Sequence, residues 1–142
     1  MSVLYDLAAY LQSHGVGVHE TYDPSNPGTD YHIFVGSRPE KPDDCLVLYS
    51  YPGLSPEYVQ EDFTPKYEHP YVQVLARGRS YADTDYKIHQ AWNALCTLTN
   101  ANLGGVRYKS VRPLASPALM GRDINDRTML FFNLAIMKEV SA

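Results

Sequence analysis

Cysteine is nearly missing from this chain of 142 residues: only Cys45 and Cys96 occur. Two cysteines are too few for a disulfide scaffold or a cysteine zinc site. No apolar run approaches the roughly 18 residues that a membrane-spanning helix needs. The opening residues Met1-Ser2-Val3-Leu4-Tyr5-Asp6 lack the basic patch and apolar stretch of a signal peptide, so synthesis in the cytoplasm is the expectation. Phosphate-binding glycine loops, G-x-S-x-G and H-E-x-x-H are all absent from the sequence. The histidines His14, His19, His32, His69 and His89 show no metal-ligand spacing. Cys96 falls near a helix end and Cys45 in an apolar strand, both wrong for a reactive thiolate. The expectation is no catalytic residue, no metal and no cofactor.

What the chain does have is an ordinary globular balance, 44% hydrophobic and 20% charged. One domain over residues 1–142 fits that length. Tyrosine stands out, with 12 Tyr against 4 Phe and 1 Trp. Tyr joins apolar area to a polar tip, which suits either the edge of a core or a half-wet interface. Charge is split along the chain. Residues 1–70 hold three bases against eleven acids, a net of −8, and residues 71–142 hold nine bases against five acids, a net of +4. The whole is acidic, with net charge −4, which argues against DNA binding as the main task.

Leu4, Leu7, Ala8 and Leu11 share one face and predict a helix over 3–14, with Gly15 following its end. Residues 16–18 and 31–35 read as strands, and Cys45–Tyr49 as a central strand covered on both sides. Pro52, Pro56, Pro65 and Pro70 predict a long irregular loop over 52–70, a partner-binding arm. Tyr71–Arg79 alternates as a strand. Ile88, Ala91, Trp92, Leu95 and Leu98 mark a helix over 81–98, capped by Ser80. Strands follow at 106–114 and 127–140, the second with Leu130, Phe132, Leu134 and Ile136 as its core face, with a loop between them at 116–123. The fold class expected is α+β: a mostly antiparallel sheet of five to six strands packed against two helices, with a long Pro-rich loop.

Three segments carry a resemblance. They are Arg38-Pro39 with Asp43-Asp44-Cys45-Leu46-Val47-Leu48-Tyr49-Ser50-Tyr51-Pro52-Gly53; Val72-Gln73-Val74-Leu75-Ala76-Arg77-Gly78-Arg79-Ser80-Tyr81; and Pro117-Ala118-Leu119-Met120-Gly121-Arg122-Asp123 with Arg127-Thr128-Met129-Leu130-Phe131-Phe132-Asn133-Leu134. In this order they resemble the minor capsid or tail terminator (tail completion) proteins of long-tailed bacteriophages, over about residues 2–138. The resemblance implies a six-membered ring of one α+β domain, with no catalytic residues. It implies tail tube protein and head–tail connector protein as partners, and DNA passing through without sequence-specific binding. It places the protein in the virion tail or neck, made in the bacterial host cytoplasm.

A ring needs one patch to meet a different patch on the next copy. Arg77, Arg79, Arg107 and Arg112, on predicted strands, are candidates for one side. Glu57, Glu61 and Asp62 in the arm are candidates to answer them, with Tyr58, Phe63 and Tyr67 as aromatic anchors. The alternative is a small anion- or nucleotide-binding domain, or an enzyme of unrecognised type, gripping its ligand with Arg77, Arg79 and Arg122.

Overall fold

The structure, a computed structural model, describes residues 3–19, 31–58 and 65–140, with 52–58 and Pro65 by backbone alone. In chain order the elements are α1 (Val3–Ser13), β1 (His32–Val35), β2 (Cys45–Tyr58), β3 (Pro65–Gly78), α2 (Tyr81–Cys96), β4 (Thr99–Leu103), β5 (Val106–Pro113), β6 (Ala118–Arg122) and β7 (Thr128–Glu139). They build one sheet in the order β1-β2-β3-β7-β5-β4, with β6 also paired to β7. Every pairing is antiparallel except β1 with β2. The expected class, a mostly antiparallel sheet with two helices, is therefore what the chain adopts.

Both helices pack on one face of the sheet. Leu4, Leu7, Ala8 and Leu11 of α1 and Ile88, Ala91 and Leu95 of α2 are buried there. Beneath them lie cross-strand rows: Leu46, Ala76 and Leu130; Leu48, Val74 and Phe132. Alternation of period two puts each such set on one side of its strand. Gly15, at φ +71°, ends α1 in the left-handed conformation, and Val16 N–H bonds back to Leu11 O at 3.0 Å. Ser80 caps α2, accepting the Asp83 N–H at 3.3 Å. Trp92 is only half-buried, and its indole N–H donates to Ala115 O at 3.1 Å.

Several expectations change. The Val16–Val18 strand shrinks to a single bridge, Val18 to His32. Thr99–Leu103, a stretch with no predicted element, is β4, and the loop at 116–123 contains β6. Thr-Asn-Ala-Asn-Leu is built largely of residues depleted in strands, and Ala-Leu-Met-Gly-Arg lacks apolar alternation, so pairing with a neighbour makes them strands, not propensity. The Pro-rich loop over 52–70 is also corrected. β2 runs out to Tyr58 and β3 returns from Pro65, leaving 59–64 outside the described residues. The prolines mark faults in the ladder: the β2–β3 register shifts between Tyr51 and Leu54 and between Leu54 and Glu57, around Pro52 and Pro56. A missing N–H is tolerated at a bulge or on an edge strand, so proline density here bends a hairpin without abolishing it.

A buried polar chain crosses the helix side. Tyr108 donates its hydroxyl to Asp6 Oδ2 at 2.6 Å. Burial first, then the Asp6 carboxylate, pushes the Tyr108 phenol far above its ordinary value. Lys138 lies 5.8 Å from the Tyr108 ring and 3.6 Å from Glu68 Oε2, tying the arm's base to the core. Gly104 sits over the same carboxylate at φ +59°, and Gly105 follows at φ +77°. A Cβ at Gly104 would collide with Asp6, whereas one at Gly105 meets nothing. Gly105→Ala should therefore cost only the left-handed penalty of about 1–2 kcal/mol. Gly104→Ala should cost clearly more in urea titration. Equal losses would contradict the seating of this turn on α1.

Candidate assembly interface

The sheet face away from the helices divides into a covered half and an open half. The open half carries Tyr51 and Tyr71, both half-buried and opposed across β2 and β3 with rings 5.4 Å apart and edge-on. Next to them Gln73 Nε2 donates to Asn133 Oδ1 at 3.3 Å. A hollow of about 330 Å³ lies over Tyr49, Tyr51, Gln73 and Asn133. Another of about 350 Å³ lies over His69, Tyr71, Arg112 and Met137. Burial pushes the Tyr49 and Tyr51 phenols upward, so both stay neutral hydroxyls at physiological pH. Aromatic area with polar tips, amides and one arginine is the chemistry of a protein-contact surface.

The covered half explains the buried arginines. Cys45, Val47 and Leu75 form a small second core there, with Phe34, Tyr49 and Phe131 around them. Burial pushes the Cys45 thiol up to about 11, which suits a packing residue. The 36–44 segment closes over this end through two buried guanidinium groups. Arg77 gives Nη2–H to Pro42 O at 2.7 Å and Nε–H to Asp43 O at 3.2 Å. Arg127 bonds Glu40 O at 2.6 Å, Asp123 Oδ2 at 2.8 Å and Asp43 Oδ1 at 3.1 Å. Asp123 in turn accepts the N–H groups of Asn125 and Arg127 at 3.0 and 2.9 Å, which shapes the β6–β7 turn.

Both carboxylates of this clasp are held below the ordinary value. For Asp43 the hydrogen bond from Lys41 is the main cause, against burial and with help from Arg127. For Asp123 burial pulls upward, and the bonds from Arg127 outweigh it. A depressed carboxylate contributes stability in full above its unfolded pKa of about 3.9 and loses it as pH falls through the folded value. The stability gap between the native chain and Asp123→Asn should thus be largest near neutrality and shrink as pH falls below the unfolded carboxylate's value of about 3.9. Denaturant titrations of both proteins across pH would read it, and a gap that widened in acid would contradict the clasp.

The sequence-predicted residues do not form one cluster. Arg77 is corrected outright: it was a candidate for a subunit-contact patch, yet it is 1% exposed and bound to carbonyls. Arg79 is exposed and pairs with Asp43 at 3.1 Å, and Arg122 pairs with Asp126 at 3.1 Å, both at the clasp end. The anion grip of Arg77, Arg79 and Arg122 is therefore not assembled, because each guanidinium already serves an oxygen of the chain. At the opposite end of the sheet, Tyr67 lies 4.4 Å beneath Lys109 Nζ, and Arg107 donates to Asn100 Oδ1. Arg112 is exposed beside the open face, opposite Ala135. Glu57 and Tyr58 lie in the distal part of β2, while Glu61, Asp62 and Phe63 lie outside the described residues. Sequence reading missed the Tyr51, Tyr71, Gln73 and Asn133 group, although the tyrosine excess pointed to such a surface.

Residues 10–140, from the last turns of α1 to the end of β7, match the family model described as bacteriophage tail terminator protein. The chain belongs to that family. Tail terminators are structural proteins of the virion tail, so this chain is a structural component. The match runs through the three resembling segments, which lie in β2, in β3 with the start of α2, and in β6 with β7. No curated protein matches the chain. Among the described residues no group of His, Cys, Asp or Glu is placed to hold a metal ion, and no helix is long and apolar enough to cross a membrane.

Proposed function

We propose that this tail terminator caps the finished tail tube as a ring of identical copies, six by the family resemblance. The ring presents its other side to the head–tail connector protein in the neck, and DNA passes through its hole without sequence-specific binding. Membership of the family carries this reading. The bare Tyr- and amide-rich half of the sheet supports it, since such a surface suits contact with other chains. Exposed Arg79, Arg107, Arg112 and Arg122 lie in the half of the sequence with net charge +4, and β2 with the first residues of β3 lies in the half with −8. Exposed pairs of this kind are each worth only about 0–1 kcal/mol, so they steer register more than they hold the ring.

Sedimentation of the pure protein across salt, alone and with tail tubes, tests this. Weak, salt-sensitive oligomers alone and a stable ring on tube ends are expected. A strict monomer under every condition that also failed to bind tube ends would overturn it.

A further inference from the structure

Four large apolar side chains stand exposed within residues 114–124: Leu114 at 48%, Leu119 at 57%, Met120 at 41% and Ile124 at 99%. They surround β6, which pairs through one side only, with β7. Among the described residues no strand covers its outer side. An edge strand of a solitary protein is normally blunted by charge within it. Here the strand, Ala-Leu-Met-Gly-Arg, carries its charge only at the last residue, Arg122, and its pairing with β7 shifts register between Leu119 and Gly121. An uncovered edge combined with clustered apolar side chains marks a contact surface.

A second uncovered edge lies across the sheet. β1 pairs with β2 only along Cys45–Leu48, and from Tyr49 onward no strand among the described residues covers the outer side of β2. Leu48 gives its carbonyl outward to Gly36 N–H at 2.8 Å. Two residues on, Ser50 directs its own N–H and C=O outward in the same way. The two edges differ in charge: β6 ends in Arg122, and the distal β2 contains Glu57. They also lie at opposite margins and opposite ends of the sheet. β6 faces the rows of Met129 and Thr128, while the open stretch of β2 begins beyond the row of Leu48 and Phe132.

We propose that β6 of one copy adds as a strand to the open edge of β2 in the next copy. This rests on the ring reading above and names the surfaces by which its subunits join. The occupant is a second copy because one chain carries both edges, opposite in charge at their ends. Joining one to the other is a head-to-tail contact with a constant offset, the kind that closes into rings. The backbone ladder supplies direction, and burial of Leu119 and Met120 supplies affinity.

Met120→Lys and Ser50→Pro test it from the two sides. Met120 is exposed, and Ser50 sends its N–H away from β3, so each variant should keep the native thermal midpoint. Sedimentation of each, with the native chain as reference, should show association weakened by about 30-fold or more, the loss of a hot-spot residue. Hydrogen exchange should show the outward amides of β6 protected in the native oligomer and open in both variants. If the native chain forms rings and both variants form them equally well, the edge pairing is overturned while the ring reading stands. If the variants form rings but lose tube binding, β6 takes the tube protein instead, and the proposal is overturned. A native chain that is monomeric everywhere and ignores tube ends removes the ring reading first, and this proposal with it.

Discussion

Arg127→Met is expected to destabilise the fold by about 3–5 kcal/mol, the cost of breaking a buried ion pair from one side. Arg127 is 4% exposed and serves three acceptors at once: Asp123, Asp43 and the Glu40 carbonyl. Methionine fills much of the space but leaves the Asp43 and Asp123 carboxylates with no cation of equal burial. The 36–44 segment then loses one of its two guanidinium anchors, and the β6–β7 turn loses its hold on that segment. Arg79→Met is the control. Its side chain is 80% exposed while pairing with the same Asp43, so solvent screening makes its loss small. Urea denaturation of the two variants at neutral pH separates the cases. Equal losses would contradict the clasp.

Phe132→Ala is expected to cost about 3–5 kcal/mol. Phe132 is 1% exposed and sits in the row with Val74 and Leu48 under the helices. Phe131, its neighbour, points to the other face and is only half-buried. Phe131→Ala should therefore cost markedly less. Because side chains alternate with period two, a register slipped by one residue would reverse that order in thermal or urea unfolding.

The parts of the fold legible in the sequence are those whose apolar pattern repeats within the element. Leu4, Leu7, Ala8 and Leu11 gave away α1, and Leu130, Phe132, Leu134 and Ile136 gave away the core face of β7. The strand β6 carries no such pattern and β4 only the short one of Ala101 and Leu103, since a neighbouring ladder makes them. The arm was misread because proline was weighed as a breaker without asking whether its strand had a free edge. Arg77 misled for a related reason. Its alternation with Leu75 was read correctly, but nothing local announces that the 36–44 segment folds back over that face and offers three carbonyl groups. The resemblance carried by three dispersed segments reached the family, which composition and motifs alone did not.

The most direct test of the central claim is electron microscopy of phage particles assembled without this chain, measuring tail length and attachment to heads. A terminator that caps the tube and joins it to the head predicts tails of uncontrolled length, unattached to filled heads, with both defects corrected by adding the purified protein. Tails of normal length joined to heads in its absence would contradict the account.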